Sequence, residues 1–121
     1  MKSCLIVDDS RVVRKLARLM IEDLDFSCRE VDDGAQALDA CRTAMPDVIF
    51  MDWNMPGMSG IETMKALREL PGGDKVKIIF CTVFNELNYI REALEAGADE
   101  YIMKPFDADI MTSKLQIAGG L

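Results

Sequence analysis

The sequence predicts an α/β domain built on a doubly wound parallel sheet. Two observations lead there: short apolar runs alternate five times with segments of helical period, and no linker, repeat or low-complexity tract interrupts them. Strands that alternate with helices in this way pair in parallel with helices on both faces, and right-handed crossovers leave few topologies open. At 121 residues the chain is the size of one compact domain, and a single domain over residues 1–121 is expected.

Ser3-Cys-Leu-Ile-Val7 reads as the first strand. Ser10 then caps a helix to about Leu24, on which Val13, Ala17, Met20, Ile21 and Leu24 make one apolar stripe. Residues 27–31 read as a second strand. A helix from about Gly34 to Thr43 turns Ala37, Leu38 and Cys41 inward, with Pro46 beyond its end. Val48-Ile-Phe-Met51 is a buried strand, followed by a loop rich in Pro and Gly up to Gly60. Ile61, Met64, Leu67 and Leu70 give the next helical stripe, stopped by Pro71-Gly-Gly73. Lys77-Ile-Ile-Phe-Cys81 is the fourth strand. A helix starting near Asn85 carries Leu87, Ile90, Ala93 and Leu94 and closes at Gly97. Tyr101-Ile-Met103 is the fifth strand, and the last helix runs from about Asp107 to Ile117.

Composition narrows the function. The net charge of −7 argues against non-specific binding to nucleic acid or to an anionic membrane. The densest basic group, Arg11, Arg14, Lys15 and Arg18, interrupts an apolar helical pattern and reads as the solvated side of that helix. No apolar run reaches the ~18 residues that would span a membrane, and no signal-peptide pattern opens the chain, so a cytoplasmic location is expected. Cys4, Cys28, Cys41 and Cys81 lack Cys-x-x-Cys spacing, and there is no histidine. Buried reduced thiols are expected, not a zinc site.

In doubly wound sheets ligands sit at the carboxyl ends of the strands, where the strand order reverses. Directly after the strands stand Asp8 and Asp9, Asp52, Thr82 and Lys104, so four of the five strands deliver a charged or hydroxyl group to one edge. Alone, Asp8 or Asp9 would be a helix cap, Lys104 a solvated strand end and Thr82 a turn hydroxyl. Together they make a site. Three converging carboxylates repel one another, and a divalent cation removes that cost. Oxygen ligands without His or Cys select a hard ion, and Mg²⁺ takes only a few protein ligands, leaving room for phosphoryl oxygens. Lys104 supplies a mobile positive charge for those oxygens, Thr82 a donor, and Asp52 a carboxylate placed to attack phosphorus.

The segments Leu5-Ile-Val-Asp-Asp-Ser10, Met51-Asp-Trp-Asn-Met-Pro-Gly-Met-Ser-Gly60, Cys81-Thr82 and Ala96-Gly-Ala-Asp-Glu-Tyr-Ile-Met-Lys-Pro-Phe106 resemble the receiver domains of bacterial response regulators. The resemblance runs over essentially the whole chain and is nearest to the stand-alone chemotaxis receivers of the CheY type. It implies a flavodoxin-like (βα)5 fold with sheet order 2-1-3-4-5. It also implies that Asp52 is the phosphoacceptor. Asp9, Asp52 and the backbone carbonyl of Asn54 would be the direct Mg²⁺ ligands, with Asp8 acting mostly through water. Thr82 and Lys104 would bind phosphoryl oxygens, and Lys104-Pro105 would be cis. Tyr101 matches an aromatic position that turns inward when the threonine moves toward the phosphate. Val83 stands where the family usually has a small residue, and Phe84 where a polar one is common. Slower phosphotransfer or slower dephosphorylation than with Ala at position 83 is expected.

With no histidine of its own, the chain requires another molecule, a sensor histidine kinase, as phosphodonor. Phosphorylation would favour an active arrangement of the fourth helix, fifth strand and fifth helix, the face expected to bind a downstream protein such as the flagellar motor switch. The alternative is a phosphorelay intermediate or phosphate sink not linked to motility. No output domain is expected beyond the fifth helix, and no catalysis beyond the chain's own phosphorylation and dephosphorylation. A flavin domain on this fold would need a Ser/Thr/Gly-rich phosphate loop where Asp8 and Asp9 stand. A turnover hydrolase would need a cap domain, and a switchless binding module would lack one of the Asp or Lys residues.

Overall fold

The computed structural model describes residues 1–53, 55–83 and 87–121, without the side chains of Leu87 and Tyr89. Ten elements alternate: β1 (Ser3–Val7), α1 (Arg11–Glu22), β2 (Ser27–Val31), α2 (Gly34–Thr43), β3 (Val48–Asp52), α3 (Gly60–Arg68), β4 (Lys77–Thr82), α4 (Leu87–Glu95), β5 (Glu100–Met103) and α5 (Ala108–Ala118). The strands are all parallel in the order β2-β1-β3-β4-β5, as a flavodoxin-like fold requires. The chain starts in the interior of the sheet, adds β2 on one side and then crosses to add β3 on the other. The order therefore reverses beside β1, and a crevice opens there above the strand ends.

Successive strand residues point to opposite faces, so each strand feeds two cores. Leu5, Val7, Ile49, Met51, Ile78 and Phe80 pack with Ala37, Leu38, Cys41, Met64, Leu67 and Ala93 under α2, α3 and α4. Cys4, Ile6, Val48, Phe50, Ile79, Cys81 and Ile102 pack with Ala17, Ile21, Met111 and Leu115 under α1 and α5. Burial on both faces is why β1, β3 and β4 are near-continuous apolar runs instead of alternating ones. All four cysteines are buried free thiols, as expected.

Four helices start at side-chain caps. Ser10 accepts from the Val13 N–H, Asp33 from Gln36, Ser59 from Glu62 and Asp107 from Ile110. Each such cap stabilises its helix by about 1 kcal/mol.

Several boundaries differ from expectation. Asp52 and Thr82 are the last residues of β3 and β4 and not the first residues after them, because the backbone ladder continues one step further than the apolar run. α1 ends at Glu22 and α3 at Arg68, so Leu24 and Leu70 pack on the cores from outside the helices. Leu94, one of the apolar residues the fourth helix carries, is 42 % exposed. The start of the fourth helix near Asn85 lies outside the described residues, as does Phe84. Asp25, at φ +67°, makes the reversal into β2.

The basic group on α1 is a solvated side only in part. Arg11 and Lys15 are exposed, but Arg14, Lys15 and Arg18 all reach Glu30 on β2, at 3.3, 3.0 and 2.8 Å. Burial alone would raise the Glu30 pKa, but the three cations outweigh it and hold the carboxyl at about 2. The sequence pattern hides this because Glu30 sits on a strand whose neighbour is set by sheet order.

Candidate functional site

Sheet register builds the site. Val7 lies level with Met51 across β1 and β3, so Asp8 and Asp52 emerge side by side at the switch point. Asp52 lies level with Cys81, and Thr82 with Met103, so Thr82 and Lys104 follow at the next steps along the same edge. Asp8 and Asp52 are buried, Thr82 is buried, and Asp9 is exposed.

Lys104 closes the group. Its ammonium lies 3.0 Å from Asp8 Oδ2 and 3.3 Å from Asp52 Oδ1, while its backbone N–H donates to the Thr82 carbonyl at 2.9 Å. The Lys104–Pro105 bond is cis. Asp8 Oδ1 accepts from the Ser10 N–H at 2.8 Å. One oxygen from each of Asp8, Asp9 and Asp52 falls within 4.8 Å of the others.

The electrostatics are unbalanced. Burial pushes the Asp52 carboxyl up, the Asp8 charge pushes it further, and Lys104 opposes both, leaving it at about 6. Burial pulls the Lys104 ammonium down, but Asp8 and Asp52 outweigh it and hold its pKa above the ordinary lysine value. Burial also pushes the Cys81 thiol upward, which keeps that neighbour neutral.

Asp8 Oδ2, fully buried, accepts no well-directed hydrogen bond among the described residues and lies 3.0 Å from the Lys104 ammonium. Three carboxylates against one ammonium leave an excess of negative charge that a divalent cation matches. The donor set is all oxygen, which suits a hard ion. These residues fit such an ion.

Gly60 is a site residue that sequence reasoning left as a loop end. A Cβ there would lie 2.5 Å from the Asp52 carbonyl and 2.8 Å from Phe80 Cζ. Its N–H donates to the Trp53 carbonyl at 3.1 Å, and the Trp53 N–H donates to the Cys81 carbonyl at 2.8 Å. The start of α3 is thereby packed directly against the backbone of Asp52. The Gly-rich loop was the available signal. Asn54, expected as a metal ligand, lies outside the described residues. Tyr101 is half-buried against the α2/α3/α4 core, with the Lys114 ammonium 4.3 Å from its ring centre.

A doubly wound sheet whose switch point carries buried carboxylates and a lysine belongs to the signalling-switch class of this fold, not to its flavin carriers. The chain is a member of the response regulator receiver domain family, which matches residues 4–116, and is therefore a signalling domain of two-component type. It is 34% identical to the chemotaxis protein CheY of Pseudomonas aeruginosa over 93% of this chain and 91% of that protein. It is also 34% identical to the phosphate regulon transcriptional regulatory protein PhoB of the same species, over 95% of this chain and 50% of PhoB. Among solved structures, the chemotaxis response regulator CheY4 of Vibrio cholerae superposes with a TM-score of 0.92 at 30% identity, covering 98% of each chain. Among the described residues, no helix is long and apolar enough to cross a membrane.

Proposed function

We propose that this domain is a phosphorylation switch: Asp52 takes a phosphoryl group from a phosphohistidine of a sensor histidine kinase, and the phosphorylated form binds a downstream protein. The observation that carries the reading is the meeting of Asp8, Asp9, Asp52 and Lys104 at one strand edge. An Asp52 carboxylate oxygen attacks phosphorus, the P–N bond breaks, and the imidazole leaves with the electron pair. Near neutral pH the carboxyl at about 6 is mostly ionised, as a nucleophile must be. Lys104, held cationic by Asp8 and Asp52, neutralises the incoming oxygens. Thr82, the last residue of β4 on the same edge, would donate to them.

Asp9 and Asp52 would hold Mg²⁺ directly with the Asn54 carbonyl, and Asp8 would hold it through water. When bound, Mg²⁺ supplies positive charge that lowers the repulsion between carboxylate and phosphoryl group.

The downstream face is α4-β5-α5, to which Tyr101 belongs, and the location is cytoplasmic. The similarity to CheY supports a role in chemotaxis, with the flagellar motor switch as the target. A relay intermediate or phosphate sink is the competing output, and equal identity to the receiver half of PhoB means the target must be found by binding. Incubation with candidate kinases, followed by a pull-down comparing wild type with Asp52→Ala, identifies donor and target together. Phosphorylation that persists in Asp52→Ala would refute the assignment of the acceptor.

A further inference from the structure

The geometry points to Arg14 as a positioning residue for the acidic site, acting through the peptide that joins Asp8 to Asp9 and held in place by Glu30. This rests on the magnesium reading above and deepens it.

Asp9 is exposed, and its carboxylate must reach the same small volume as the buried Asp8 and Asp52. What limits its freedom is the backbone at the end of β1. The Asp8 N–H donates to the Val31 carbonyl at 3.3 Å, the last anchor from the sheet. The Asp8 carbonyl, half of the peptide that carries Asp9, accepts from Arg14 Nη1 at 2.8 Å. Arg14 thus grips the plane that sets where Asp9 leaves the strand.

Arg14 is held in turn. Its Nε meets Glu30 Oε1 at 3.3 Å, and only 17% of its side chain is exposed. Glu30, 11% exposed, also binds Lys15 at 3.0 Å and Arg18 at 2.8 Å through Oε2, which leaves Oε1 to Arg14. The guanidinium is a rigid planar fork, and here one edge takes the carboxylate while another nitrogen takes the carbonyl. A lysine carries its donors on a single nitrogen, which lacks the fixed separation of Nε and Nη1 that lets Arg14 meet Glu30 and the Asp8 carbonyl together. Lys15 and Arg18 have no hydrogen bond to the Asp8 carbonyl among those found for the described residues, so loss of Lys15 perturbs Glu30 without touching the peptide. Partners that orient metal ligands from outside the coordination sphere commonly change metal affinity by about 10–100-fold.

The test is Mg²⁺ titration of the full chain, followed by Trp53 fluorescence and by calorimetry, with thermal melts of the same samples in EDTA. Arg14→Lys is expected to raise the Mg²⁺ Kd by about 10-fold. Lys15→Met is expected to leave Kd within about twofold and to lower melting only slightly, as loss of a partly exposed ion pair predicts. If Arg14→Lys does not fold, Glu30→Gln takes its place with the same expectation. An unchanged Kd in Arg14→Lys or its substitute overturns the proposal, as does an equal rise in Lys15→Met. Wild-type protein that binds no Mg²⁺ refutes the magnesium reading itself, a failure distinct from equal affinity in wild type and variant.

Discussion

Asp52→Asn should stabilise the metal-free domain, and by an amount that depends on pH. Asp52 is buried, and its pKa rises from 3.8 to about 6 on folding, because burial and Asp8 together outweigh Lys104. A carboxyl that folds with a raised pKa binds its proton more tightly in the native state, so ionising it costs folding free energy. Below the unfolded value of 3.8 the acid is neutral in both states and the cost vanishes. It grows through the window up to about 6 and is constant above it. Two pH units of difference correspond to about 3 kcal/mol at pH 8, falling to roughly half of that at pH 5. Asparagine has the same shape and no charge. For a domain of this size each kcal/mol moves Tm by roughly 3–5 °C, so Asp52→Asn should melt about 10 °C above wild type at pH 8 in EDTA. The gap should shrink steadily toward pH 4, and Mg²⁺ should narrow it at pH 8 by stabilising wild type. A variant that melts at or below wild type at pH 8, or a gap that ignores pH, refutes the electrostatic account.

Lys104→Met removes the cation between Asp8 and Asp52. At pH 8 without metal it should cost about 3–5 kcal/mol in a denaturant melt, part of which Mg²⁺ restores. Gly60→Ala forces a methyl against the Asp52 carbonyl and Phe80, so chemical denaturation should show a loss of about 1–3 kcal/mol. Val83 is 62% exposed and lines an apolar groove with Leu16, Lys104 and Phe106 beside the site. Val83→Ala should speed phosphorylation or dephosphorylation several-fold in a time course with an acyl phosphate donor, and two unchanged rates would remove any role for its bulk.

The sequence by itself determined the element order and the identity of the edge residues. Strand runs such as Val48-Ile-Phe-Met51 and caps such as Ser10 and Asp107 act within a few residues, so their signals are local and readable. The edge group was readable because the fold sends every strand end to one rim, which makes position along the chain a proxy for position in space. Tertiary structure alone decided which groups touch. Glu30 and Arg14 are sixteen residues apart, on a strand and a helix, and nothing local pairs them. The close approach of Gly60 to Asp52 likewise depends on how α3 docks against the sheet. The depth of Asp52, and with it a pKa near 6, comes from neighbours on other strands. Propensity and periodicity act through the backbone nearby, whereas burial and charge act through space, and only the folded chain sets those distances.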